Sequence, residues 1–113
     1  MRIERKEEFP GGVILAIQGD IVGGPHAEDF YQTIHDLIAR RQTTVLIDLA
    51  KAKRANSSGL GILIRGYVSL KQVGGSLRVY NLSEHVDHMF KITRFNSILD
   101  VYPDEAAARA GRA

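Results

Sequence analysis

Val45-Leu46-Ile47-Asp48-Leu49, followed after residues 50–55 by Asn56-Ser57-Ser58-Gly59-Leu60-Gly61, is the stretch that decides the fold. The first run is β-branched and almost continuously apolar. A half-exposed strand alternates apolar with polar residues, so an unbroken apolar run marks a central strand covered on both faces. The second run opens a different period. Leu60, Leu63, Ile64, Tyr67 and Leu70 recur at helical spacing and predict a helix over 58–73 with one buried face. Gly74-Gly75 ends it, since a glycine past the last turn adopts the left-handed conformation cheaply.

Working outward, the same two periods alternate along the chain. Residues 2–7 predict an edge strand with charges at its exposed positions, and Pro10-Gly11-Gly12 a tight turn into a buried strand at Val13–Ile17. The tight turn makes that pair antiparallel. After Gly19, Gly23, Gly24 and Pro25 break the chain, Phe30, Ile34, Leu37 and Ile38 mark a helix at 26–40, with Arg40 and Arg41 at its C-terminal end. Beyond Gly75, Leu77–Leu82 predicts a further strand, and Ser83 caps a third helix with Val86, Met89 and Phe90 on its core side. Ile98–Tyr102 predicts a last short strand. Pro103 opens a terminal helix whose 109–113 end is expected to fray. The fold class is α/β: a mixed sheet of about four to five strands, with helices packed mainly on one face and right-handed crossovers between parallel strands.

The chain has 113 residues, which suits a single domain over 1–113. Hydrophobic residues make up 44% and charged residues 25%, a balance able to bury a core. With no cysteine there is no disulfide framework and no thiolate metal site. Fifteen Lys and Arg stand against thirteen Asp and Glu, dispersed rather than gathered into a patch, so no nucleic-acid partner is expected. The apolar run Val13–Ile17 is too short for a signal peptide or a membrane span, which predicts a cytoplasmic protein without a membrane partner.

Asn56, Ser57 and Ser58 are three good helix caps in a row, and a helix needs only one. One side chain accepts from a first-turn amide, and the surplus points to a serine presented to solvent, with Asn56 and Ser58 as the residues that cap and position. Ala55 to Gly59 also approximates a nucleophile elbow. That pattern fails because Leu49 lies well upstream, the first glycine is missing and the chain is too short for a hydrolase sheet. His85 and His88 are three apart, but Val86, Met89 and Phe90 claim the buried stripe, which leaves both histidines solvated rather than metal-bound. Gly19–Gly24 lacks the Gly-Lys-Ser/Thr ending of a phosphate loop. Arg65 and Lys71 lie on the outer side of the 58–73 helix as interface candidates. No catalytic residue, cofactor or metal is expected.

The strand ending in Asp48-Leu49, the six-residue interval and the run Asn56-Ser57-Ser58-Gly59-Leu60-Gly61 resemble the signature of the STAS domain family. The resemblance continues through Val73-Gly74-Gly75-Ser76-Leu77, Asn81-Leu82 and Ile92-Thr93-Arg94-Phe95. Within that family the chain resembles the bacterial anti-sigma factor antagonists. This implies phosphorylation at Ser57 by a serine kinase that is also the anti-sigma factor, and a PP2C-type phosphatase that removes the phosphate. It implies a binding module rather than an enzyme, one that frees a sigma factor when unphosphorylated. Asn56, Ser57, Ser58, Gly59 and Leu60, with Lys53, Arg54 and Arg65, form the expected partner-binding set, and Lys51, Lys53 and Arg54 stand ready to accommodate a phosphate. Two positions depart from the pattern. Asn56 replaces the family's usual acidic residue, and Lys53-Arg54-Ala55 makes the loop more basic. The alternative implied by the same resemblance is a scaffold or sensor subunit, of a signalling complex or a lipid-transport system, that needs no modification.

Overall fold

The computed structural model describes residues 1–111. It contains a five-stranded sheet in the order β1-β2-β3-β4-β5. The strands are β1 (Arg2–Phe9), β2 (Gly12–Gln18), β3 (Thr44–Lys51), β4 (Ser76–Tyr80) and β5 (Asp100–Tyr102). Helices α1 (Ala27–Ala39), α2 (Ser57–Gln72), α3 (Glu84–Ile92) and α4 (Glu105–Ala110) alternate with them, and a short 3-10 turn covers Phe95–Ser97. β1 pairs antiparallel with β2, and every other pair is parallel. The sheet is therefore mixed, as its turn signals predict.

Side chains alternate faces along a strand, and here they sort into two unequal cores. Val13, Leu15 and Ile17 of β2, Val45, Ile47 and Leu49 of β3, and Leu77 and Val79 of β4 face one side. There they pack with Phe30, Ile34 and Leu37 of α1, Leu60, Leu63 and Leu70 of α2, and Val86 and Phe90 of α3. The opposite side carries a smaller cluster of Ile14, Leu46, Tyr80 and Tyr102, closed by Ala108 of α4. β3 is apolar at both parities because both faces are covered.

Several boundaries differ from expectation, each for a local reason. β4 ends at Tyr80 rather than Leu82 because Asn81 turns into the left-handed region, φ 59°. The last strand begins at Asp100; Ile98 sits in the preceding turn, 41% exposed. α2 also buries Ile62 and Gly66, which its expected stripe omitted. A β-carbon at Gly66 would come within 2.6 Å of the Phe30 ring, so the glycine lets α1 and α2 approach closely. Arg109 was expected in a frayed end, yet its guanidinium bonds Glu7 on β1 at 2.6 Å and Glu105 at 3.0 Å. The remainder of that expectation, residues 112–113, lies outside the described residues.

Candidate functional site

At the C-terminal end of β3 the chain leaves the sheet through residues 52–56 and enters α2. Residues 19–24, which follow β2, flank this loop. The Ile21 amide donates to the Arg54 carbonyl at 2.9 Å, and the Asn56 amide to the Ile21 carbonyl at 3.1 Å, forming a single parallel bridge between Ile21 and Ala55. Ala52 and Ala55 are buried beneath the loop, while Lys51, Lys53 and Arg54 are exposed. The loop is thus a pinned platform with basic side chains on its outer surface.

Of the three candidate caps, Asn56 is the one used. Its backbone is extended and its side-chain oxygen accepts from the Gly59 amide at 2.8 Å. Of the two expected caps, Asn56 and Ser58, the asparagine alone bonds a first-turn amide: an Asx side chain at the residue before the helix reaches the third amide, leaving the next two residues free of the task. Ser58 is turned toward the flanking loop, where a β-carbon on Gly23 would lie 3.0 Å from its own. Ser57 is the first helical residue and exposed, and its hydroxyl has no hydrogen-bond partner among the described residues. First-turn amides lack intrahelical acceptors, so the helix end beside Ser57 carries partial positive charge.

Gly59 and Leu60 were expected among the partner-binding residues, and both are buried. A β-carbon at Gly59 would collide with the Ile21 carbonyl, so the glycine lets the helix start rest directly on the flanking loop. Leu60 joins the main core. Both residues pack the start of α2 against the flanking loop and the core. Val22, next to that contact, is 41% exposed and adds an apolar side chain that the sequence reading passed over.

On the opposite face of β3, Asp48 is 8% exposed. Its carboxylate accepts from Lys6 at 2.6 Å, from Asn81 at 3.1 Å and from the Ala50 amide at 2.9 Å. Lys6 reaches it because it shares the face of Glu4, whose partner Ala16 lies opposite Asp48; the β1–β2 register shifts just here, between Arg5 and Glu7. Burial pushes the Asp48 carboxyl up, but the hydrogen bonds from Lys6, Ala50 and Asn81 outweigh it and hold it below its ordinary value. Reciprocally, the hydrogen bond to Asp48 raises the Lys6 ammonium.

Residues 3–108 of this chain match a family model for the STAS domain. The chain belongs to the STAS domain family. BtrV of Bordetella bronchiseptica, a candidate anti-sigma factor antagonist, is 29% identical over 104 residues, covering 92% of this chain and 89% of that protein. The anti-sigma-B factor antagonist of Bacillus subtilis is 33% identical over 64 residues, covering 57% of this chain and 59% of that protein. Two solved structures of SpoIIAA share the fold. The unphosphorylated form gives a TM-score of 0.72 at 18% identity, covering 97% of this chain and 96% of that one. The phosphorylated form gives 0.70 at 18% identity, covering 98% and 100%.

Within this STAS domain the remaining candidates do not all gather at Ser57. Lys53 and Arg54 lie in the loop immediately before it. Arg65 lies two turns along α2, about 12 Å at helical rise, and its guanidinium stacks 4.4 Å from the Tyr31 ring centre on α1. Lys71 is further still, over Tyr67. His85 was read as a solvated bystander; although exposed, it accepts the Ala55 amide at Nδ1, 3.3 Å away. Helical phase could not reveal this bond, because its partner is a distant backbone group. Among the described residues no cluster of His, Cys, Asp and Glu is placed to hold a metal, and no helix is long and apolar enough to cross a membrane.

Proposed function

We propose that this STAS domain, a single unit over 1–113, is a cytoplasmic anti-sigma factor antagonist whose partner choice is set by phosphorylation of Ser57. Unphosphorylated, it binds a serine-kinase-type anti-sigma factor and frees a sigma factor; a PP2C-type phosphatase restores that state. The observation that carries this reading is the exposed, unengaged Ser57 hydroxyl beside a helix start capped by Asn56. The names of the curated relatives support it, as does the occurrence of SpoIIAA in both phosphorylated and unphosphorylated forms.

A phosphoserine adds about −1.5 to −2 charges, and at the first residue of a helix these meet the positive end of its dipole. The fold therefore tolerates the modification, with Lys53 and Arg54 close in sequence to offset the charge. The effect falls on the docked surface, where Asn56, Ser57, Ser58, Lys53, Arg54 and Val22 meet a partner and a bulky anion displaces it. The domain itself performs no chemistry; ATP is bound by the kinase.

The test is affinity capture from a lysate of the source organism with wild type, Ser57→Ala and Ser57→Asp, the captured proteins identified by mass spectrometry. Wild type and Ser57→Ala should retain a serine-kinase-type anti-sigma factor, and Ser57→Asp should bind it roughly 100-fold more weakly. Equal capture by all three sinks the switch and leaves the scaffold reading.

A further inference from the structure

We propose that His85 is a positioning residue for the Ser57 segment, its neutral imidazole standing in for a missing β-strand. In a parallel bridge one residue exchanges both of its hydrogen bonds with the neighbours of its opposite number. Ile21 does so with Arg54 and Asn56. The amide of Ala55, between them, is therefore turned away from Ile21, toward the side on which β4 would lie. β4 has already ended at Tyr80, and Asn81 carries the chain away at φ 59°. A buried residue's amide without an acceptor costs roughly 1–3 kcal/mol, and Ala55 is buried. His85 supplies the acceptor through Nδ1 at 3.3 Å.

The bond specifies the imidazole. To accept at Nδ1 the ring must be neutral with its proton on Nε2, because a protonated imidazole donates at both nitrogens. Two residues earlier, at the cap of the same helix, Ser83 donates its hydroxyl to the Lys53 carbonyl at 2.9 Å while capping α3 at the Val86 amide, 3.1 Å. The first turn of α3 thus grips the loop at Lys53 and at Ala55, and Ile21 grips it at Arg54 and Asn56 from the other side. Four successive residues before Ser57 are fixed, so the hydroxyl is presented in one place. Losing the His85 grip frees Ala55, two residues before Ser57, on the α3 side, while Ile21 still holds Arg54 and Asn56.

The consequence for partner docking rests on the phosphorylation reading of Ser57; the clamp itself does not. The experiment compares wild type with His85→Ala, which removes the acceptor, and His85→Asn, whose side-chain oxygen lies near the position of Nδ1. Amide hydrogen exchange is followed by NMR, and binding is measured to the anti-sigma factor kinase identified by capture with wild type. His85→Ala should speed exchange at Ala55 at least about fivefold while distant core amides such as Val45 stay unchanged. It should also weaken kinase binding, and His85→Asn should restore both. Unchanged exchange at Ala55 in His85→Ala overturns the clamp. Faster exchange with undiminished binding overturns the positioning role. If Ser57→Asp and Ser57→Ala bind alike, the phosphorylation reading fails, and Ala55 exchange still decides the clamp on its own.

Discussion

The starts of α2 and α3 are built by the same device and put to opposite uses. Each helix is capped by a short polar side chain that reaches the third amide, Asn56 to Gly59 at 2.8 Å and Ser83 to Val86 at 3.1 Å. At α3 the serine is the cap, and its hydroxyl is also spent on the Lys53 carbonyl. At α2 the asparagine is the cap, and the serine that follows has nothing to hold. A serine at a helix start is therefore informative only when another residue has relieved it of capping. The asparagine that departs from the family's acidic pattern keeps the cap while removing a charge beside Ser57.

The largest effect that tests this contrast strikes both helix starts together. Asp48→Ala removes the carboxylate that joins the end of β3, toward α2, to Asn81, toward α3. We expect a loss of about 2 kcal/mol in urea unfolding at pH 7, from the stranded Asn81 and Ala50 donors and the lost Lys6 bond. Because the folded state holds this carboxyl below its ordinary value, the stabilisation is present above the unfolded value near ~4 and fades as pH falls through the folded one. The gap between wild type and variant should accordingly shrink in acid. A gap independent of pH counts against the network.

A smaller effect separates the two caps. Ser83→Ala loses a cap and an interelement bond, and should cost about 1.5 kcal/mol; Asn56→Ala loses a cap alone, about 1 kcal/mol. Equal costs would mean that the Lys53 bond adds nothing. The smallest effect is the sharpest: Ser57→Ala should change the thermal midpoint by less than about 3 °C, the mark of a side chain without structural work. A cost near that of Ser83→Ala would show that Ser57 helps hold the fold, and the contrast would collapse.

The fold was legible where one period dominated. Val45 to Leu49 announced a strand buried on both faces, and Leu60 to Leu70 the helix beneath it. What escaped depended on partners remote in sequence. Gly66 belongs to the buried face because Phe30 fills the space above it, and no stripe of large residues marks such a position. Asn56 and Ser58 could not be ranked as caps from sequence, since the choice follows from the extended backbone conformation at Asn56. Asp48 read as part of an apolar strand, and its ion pair with Lys6 exists only because β2 sets β1 and β3 on either side of itself. His85 was set aside because helical phase measures which side faces the core, whereas its bond runs along the surface to a neighbouring loop.

The register shift in β1 also bears on how copies of the chain meet at high concentration. β1 is a sheet edge, and an unbroken eight-residue edge is a template on which another strand can zip. The displaced Lys6 interrupts the even spacing of amides and carbonyls, and the charged neighbours Glu4, Arg5, Glu7 and Glu8 must be desolvated by any strand laid along it. At the other rim β5 offers only three residues. Both rims thus discourage fibril growth, one by its bulge and its charges and the other by its shortness.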